Sequence, residues 1–316
     1  MKYRIGVDLG GTNIVAGIVD ENNSIVAKAE TPTNTPRSAD AIFDDIAKVC
    51  FEALEKAGAT MDDVISVGVG TPGSVNKDNG NIEFANNLGF DNVPAKQMLE
   101  ERLHKNVYLD NDANCAALGE AVAGCGNGVK DFVAITLGTG VGSGIIVGGK
   151  LVVGKNFAAG EMGHHVIVFG GIRCNCGRRG CWEKYASATA LIAQTKEAME
   201  ADPSTVMWEL VGGDISKVSG RTAFDGERRG DALAKEVVEQ YIKYVACGVA
   251  NIVNTFQPEV VCVGGGIANE GENLLARVRT IVEGDRYSKH AKVQTKILKA
   301  ELGNNAGIIG AALLDE

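Results

Sequence analysis

Four residues spaced as His164-x9-Cys174-x-Cys176-x4-Cys181 carry the most specific chemistry in the chain. Three thiolates and one imidazole complete a tetrahedral zinc shell with no position left for water, so the predicted ion is structural rather than hydrolytic. Gly177 and Gly180 allow the tight turn that brings the second and third thiolates together. Glu161 precedes His164 by three residues and Glu183 follows Cys181 by two. Zinc would therefore fix two acids and one imidazole together. With one ring nitrogen on the metal, His164 can offer the other to a ligand hydroxyl. Acids, amides and imidazole suit a polyhydroxylated sugar, whose hydroxyls both donate and accept. Either carboxylate taken alone reads as a surface residue.

A second candidate lies in Tyr108-Leu-Asp110-Asn111-Asp112-Ala-Asn114, where an apolar strand leads into a helix expected over 113–123. An aspartate at such a junction caps a helix, or it serves as the base that phosphoryl transfer requires. Asp110, expected on the same side as Asp112, competes for the role. Asn86-Asn87-Leu88 adds further amides.

Phosphate has its own candidates. Asp8 ends a strand just before Gly10-Gly11-Thr12, and Gly138-Thr139-Gly140 forms an equivalent turn later. Glycine turns let consecutive backbone N–H groups converge on phosphate oxygens, and each threonine adds a hydroxyl. Asp8 is placed to hold hydrated magnesium, the usual partner of ATP phosphates. Two dinucleotide- and phosphate-loop patterns lack their context. Gly68-Val-Gly70-Thr-Pro-Gly73 contains Pro72 and is followed by the polar stretch 74–80 where a helix is needed, and Leu151 follows Lys150 where magnesium needs Ser or Thr.

The elements that must position these groups repeat themselves. VDLGGTNIVAGIVD at 7–20 aligns without gaps on ITLGTGVGSGIIVG at 135–148, each block a strand, a glycine turn and a strand. Duplication predicts two similar halves around a central cleft. Strands are expected at 3–9, 14–19, 24–30, 64–69, 151–153 and 259–263. Helices are expected from Ser38 to Gly58, from Asp231 to Phe256, and over 306–313, the last packing back on the first half. The expected division is a small α/β domain over 1–118, completed by about 302–316, and a large α/β domain over 119–301 that carries the zinc site.

Of the 316 residues, 45% are hydrophobic and 22% charged, and 41 are glycine, where roughly 22 would be average. The net charge of −9 argues against nucleic acid or an anionic membrane as partner. No cleavable leader or membrane span is read, so a cytoplasmic location is expected. Eight cysteines in a reducing compartment are not expected to pair; those outside the cluster read as core.

Together these residues resemble the ROK family of sugar kinases and repressors, within the actin/hexokinase/Hsp70 superfamily. The likeness runs through DLGGTN at 8–13, GTPG at 70–73, NL at 87–88 and NDAN at 111–114. It continues in LGTGVGSG at 137–144, EMGH at 161–164, CNCGRRGCWE at 174–183 and VGGG at 263–266. The resemblance implies an α/β, actin-like ATPase (ribonuclease H-like) duplicated fold. It implies Asp112 as catalytic base, in preference to Asp110. Gly73, Asn87, Asn111, Glu161, His164 and Glu183 would then hold the sugar. Asp8, Gly10, Gly11, Thr12, Asn13, Gly138, Thr139 and Gly140 would meet phosphates and Mg2+, and Gly265-Gly266 would border the adenosine of ATP. His164, with Cys174, Cys176 and Cys181, would bind Zn2+, although His165 beside it departs from the common pattern. The segment 87–94 is similar to the glucose-phosphorylating bacterial members, which implies glucose and its 6-hydroxyl, with other hexoses or a polyphosphate donor as alternatives. The family's repressors carry a helix-turn-helix ahead of this part, and a first strand near Tyr3 leaves no room for one. A homodimer or homotetramer is implied by the family.

Overall fold

The computed structural model describes residues 2–315. Along the chain run β1 (Tyr3–Leu9), β2 (Asn13–Val19), β3 (Ile25–Pro32), α1 (Ala39–Ala57), β4 (Val64–Thr71), β5 (Ser74–Asn76), β6 (Asn81–Ala85) and β7 (Phe90–Val93). Then follow α2 (Ala95–Leu103), β8 (Val107–Asn111), α3 (Asp112–Val122), β9 (Phe132–Leu137), β10 (Val141–Val147) and β11 (Lys150–Leu151). The remainder holds α4 (Glu183–Ala186), α5 (Ala188–Ala201), α6 (Met207–Leu210), α7 (Thr222–Arg228), α8 (Ala232–Phe256), β12 (Val260–Gly264), α9 (Glu272–Asp285), β13 (Lys296–Lys299) and α10 (Ala306–Ala312).

The chain divides into two compact units. One holds the residues up to Ala134, Gly144–Gly160 and those from Glu301 on; the other holds Ile135–Ser143 and Glu161–Ala300. The first unit is built on a sheet of order β3-β2-β1-β4-β8, in which β1, β4 and β8 run parallel and β2 and β3 antiparallel. Its apolar alternation is weak because parallel strands are covered on both faces. α1 covers one face with Ile42, Phe43, Ile46, Val49, Cys50 and Leu54, all buried. Ser38 opens that helix by accepting from the Ala41 N–H, and Gly58 closes it in the left-handed region at φ 65°.

The opposite side explains part of the glycine excess. There α10 packs against β1, β4 and α3. A Cβ at Gly6 would stand 1.8 Å from the Ile308 carbonyl oxygen, and one at Gly68 would stand 1.7 Å from that of Ala311. Helix backbone lies directly on strand backbone, an approach only glycine permits.

A second sheet has the order β11-β10-β9-β12-β13. Within the second unit α8 is the central helix, opened by the Asp231 carboxylate on Ala234 N–H. It packs against α4, α5, α7 and α9, burying Val238, Tyr241, Val245, Val249 and Ile252. Several expected elements keep their place with bounds shifted by one or two residues. The strand expected at 151–153 is Lys150–Leu151, and α3 starts at Asp112, one residue earlier than its expected start.

Candidate active site

In the first unit the carboxyl ends of three parallel strands line up. Asp8 of β1 pairs in register with Gly70 of β4, and Gly70 with Asp110 of β8. Beyond Asp110 the chain turns into α3. The cap of that helix is Asn111, whose Oδ1 accepts from Ala113 N at 2.8 Å and Asn114 N at 3.4 Å. Asp112 is therefore the first helical residue and not the cap, which corrects the capping reading of that aspartate. The two candidate bases also part company. Asp110 is buried, its Oδ1 accepting from Asn111 N at 2.7 Å and Asn114 Nδ2 at 2.9 Å. Asp112 is exposed, with Oδ1 accepting from Ala113 N at 2.8 Å. The two carboxylates thus differ in burial, one closing the end of β8 and the other opening α3.

The other predicted groups of this unit cluster around that edge. Gly73 turns the chain between β4 and β5, and its carbonyl accepts from Asn111 Nδ2 at 3.1 Å. Asn87 sits exposed in the β6–β7 turn, and a Cβ at Gly11 would lie 3.6 Å from the Asn87 Cβ. The turn Gly10–Asn13 closes on itself through Gly10 N to the Asn13 carbonyl at 2.9 Å. Its carbonyls are tied behind: Gly10 O accepts from Thr33 Oγ1 at 2.7 Å, Gly11 O from Thr35 Oγ1 at 3.3 Å, and Thr12 O from Thr33 N at 2.7 Å. With those carbonyls occupied, the turn has its exposed Thr12 and neighbouring N–H groups to offer an anion.

The Asp8 carboxyl is raised from its ordinary 3.8 to about 6, first by desolvation and then by the negative charge of Asp112. Such a group favours a cation, and carboxylate oxygen is a hard ligand suited to magnesium. It also makes stability depend on pH. The native chain keeps the Asp8 proton between about pH 4 and 6, where the unfolded chain has lost it. Stability from this group is thus full below pH 4 and declines by about 2–3 kcal/mol as pH rises through 6. Denaturant titrations without magnesium or nucleotide should show that decline in the wild type and lose it in Asp8→Asn. Parallel pH curves for the two proteins would reject the assignment.

In the second unit the turn Gly138–Gly140 repeats the device. Gly138 N donates to the Gly140 carbonyl at 3.0 Å, while Gly138 O accepts from Ala188 N and Thr139 O from Thr189 Oγ1, both at 2.8 Å. Thr139 is exposed. Gly265, at φ 84°, lies flat on the Leu137 backbone, 2.6 Å from where its Cβ would be, and so borders the same turn with Gly266 beside it. Val141 is the meeting point of the remaining groups. Glu183 Oε2 accepts from Val141 N at 3.1 Å, in the space a side chain at Gly140 would take. A Cβ at Gly163 would be 2.2 Å from the Val141 carbonyl oxygen. The short 3-10 turn Met162–His164 is thereby laid against β10, and Met162 N donates to Ser143 Oγ at 3.0 Å. Glu161, exposed, leads that turn.

The sulfur cluster lies at the end of the same segment. One ligand atom from each of His164, Cys174, Cys176 and Cys181 lies within 4.8 Å of all the others. Cys174 Sγ is 3.7 Å from His164 Nδ1, and Cys176 Sγ is 3.6 Å from Cys181 Sγ. Tetrahedral zinc with bonds near 2.3 Å to sulfur and 2.0–2.1 Å to nitrogen has edges of roughly 3.5–3.8 Å. The donor set fits that ion. Nδ1 faces the sulfurs, leaving Nε2 for a second partner; His165 is exposed and outside the cluster. Cys181 runs into Trp182, 1% exposed, whose indole N–H donates to the Tyr244 carbonyl at 2.7 Å. Glu183 follows directly, so the knuckle and α8 together set its position. Of these supports, Ser143, Gly163 and Trp182 lie inside motifs of the sequence, but nothing in it gave them a role. The cap role of Asn111 is legible there, since asparagine is a preferred residue just before a helix.

The ROK family model matches residues 4–316. The chain belongs to the ROK family. It is 36% identical over 314 residues to a glucokinase of Streptomyces coelicolor, covering 99% of this chain and 97% of that one. A ROK family glucokinase from Streptomyces griseus, solved with glucose and AMPPNP, is 37% identical with a TM-score of 0.81, covering 99% and 98% of the two chains. A xylose repressor of Caldicellulosiruptor bescii is 30% identical over 287 residues, covering 88% of this chain and 69% of the repressor. The ROK chain described here has the actin-like ATPase fold with two domains.

Proposed function

We propose that the protein is an ATP-dependent glucokinase that phosphorylates the 6-hydroxyl of glucose. The observation that carries this is the start of α3. Asn111 caps the helix, and the Asp112 carboxylate is exposed at its first residue, near enough to Asp8 to act on it electrostatically. Asp112 accepts the proton of the 6-hydroxyl as its oxygen attacks the γ-phosphorus; the bond from that phosphorus to the β-γ bridging oxygen breaks, and ADP leaves. Asn87, Asn111 and the Gly73 turn, with Glu161, His164 and Glu183, orient the sugar. Thr12, Asn13, Thr139 and the N–H groups of their turns hold phosphates, and Gly265-Gly266 borders the adenosine. Magnesium, held at Asp8, supplies charge neutralisation on the phosphates. Zinc, held by His164, Cys174, Cys176 and Cys181, keeps His164 and Glu183 in place. None of the eight cysteines is in a disulfide, which fits work in the cytoplasm, and no described helix is long and apolar enough to cross a membrane. Self-association as a homodimer or homotetramer completes the proposal.

A coupled ADP-release assay over a hexose panel, with ATP and polyphosphate in parallel, tests it. Glucose with ATP should give the highest kcat/KM. A preferred second hexose or a polyphosphate donor would reassign the substrate, and sugar binding without turnover would replace catalysis by sensing.

A further inference from the structure

We propose that Lys77 is a positioning residue for the Asn111–Asn114 turn, acting through the buried carboxylate of Asp110; the inference rests on the kinase reading above. Asp110 shares its Oδ1 between Asn111 N and Asn114 Nδ2. Those two bonds grip the turn from both sides of Asp112. Its Oδ2 is buried and receives no hydrogen bond among the described residues. What meets that oxygen is the Lys77 ammonium, as an ion pair. The carboxylate side chain is 4% exposed and the lysine 33%, so the acid is nearly dry and the cation reaches it from solvent.

The lysine is itself held in place. It opens the turn after β5, where Asn76 Oδ1 accepts from Asp78 N at 3.0 Å and Gly80 N donates to Asn76 O at 2.8 Å. β5 in turn packs against β8. The charge balance of this edge gives the pair its purpose. Asp8, Asp110 and Asp112 all act on the Cys115 thiol, which burial first and then these three charges push well up; Lys77 opposes them. Without the lysine, a dry carboxylate at position 110 has no counter-charge. It then turns towards water, which releases Asn111 N or Asn114 Nδ2. Asp112 sits between those two anchors, so its carboxylate loses its fixed aim at the substrate hydroxyl. Misplacement by about 1 Å can cost about a hundredfold in rate.

The test compares Lys77→Met, Lys77→Arg, Asp110→Asn and the double variant in the full-length protein with glucose and MgATP. Lys77→Met should lower kcat by about 10–100-fold, with KM for ATP within about twofold of wild type. Lys77→Arg should restore most of that loss. The double variant, which has no carboxylate to leave unpaired, should exceed Lys77→Met in kcat by at least about fivefold. Amide hydrogen exchange over 107–115 should quicken by about tenfold or more in Lys77→Met and stay near wild type in Lys77→Arg. A Lys77→Met kcat within about threefold of wild type, or a double variant no faster than Lys77→Met, overturns the proposal. Should Lys77→Met fail to fold, the double variant decides, and loss of fold there as well overturns it. Exchange remains decisive even if the wild type phosphorylates no sugar: that result would sink the kinase reading, while unchanged exchange would sink the pair.

Discussion

Asp112→Asn is expected to lower kcat for glucose phosphorylation by about 10^2–10^4-fold while glucose binding stays within a few-fold of wild type. General base catalysis contributes about 10^2–10^4-fold, and in-line transfer without a proton acceptor forfeits all of it. The substitution is mild in every other respect. The asparagine keeps an Oδ1 for Ala113 N, now at 2.8 Å, and the helix is capped by Asn111 in any case. A structural cost should therefore be small, visible as a melting temperature close to wild type. One side effect follows from electrostatics. Asp112 is the second cause of the raised Asp8 value, so the variant should also show a smaller loss of stability between pH 4 and 6. Steady-state kinetics with calorimetric glucose titration checks the first claim. More than about a tenth of wild-type turnover would remove Asp112 from the role.

Cys176→Ala is expected to abolish zinc and to raise the KM for glucose by about tenfold or more. Cys176 is exposed, so its removal opens no cavity in the core, and any large effect must come through the ion. Structural zinc contributes about 10–16 kcal/mol of apparent binding energy to the chains that fold around it. In the proposed site that energy would hold together the knuckle whose two ends deliver His164 and Glu183. Losing it should loosen both sugar-holding groups while leaving α8 and its neighbours packed. Elemental analysis should find about one zinc per wild-type chain and almost none in the variant. Wild-type protein lacking zinc, or a variant with unchanged glucose KM, would defeat the argument.

The sequence speaks most clearly where a chemistry demands a rare combination of residues. Three cysteines and a histidine at fixed spacing, or two glycine-threonine turns after similar strands, have few other uses. Helix ends were legible too, because Ser38, Gly58 and Asp231 act locally. What escaped was contact across distance in the chain. Lys77 is a single lysine in a polar turn, and nothing nearby in sequence announces Asp110 as its partner. Gly163 belongs to the EMGH motif, but why glycine is needed there shows only once Val141 is found against it. The rival roles of Asp110 and Asp112 stayed open on spacing alone because alternation along a strand stops applying where α3 begins. One residue of helix phase separates a dry anchor from an exposed carboxylate.

The seating of α10 on the first sheet has a consequence for synthesis. The ribosome releases β1 and β4 early, yet the helix backbone that covers Gly6 and Gly68 lies at Ile308–Ala312. At about 5–20 residues per second, that strip of strand backbone waits roughly 15–60 s for its cover. The second unit, by contrast, lies mostly in Glu161–Ala300, so its own contacts close over a shorter stretch of synthesis, and both units are completed near the end of the chain.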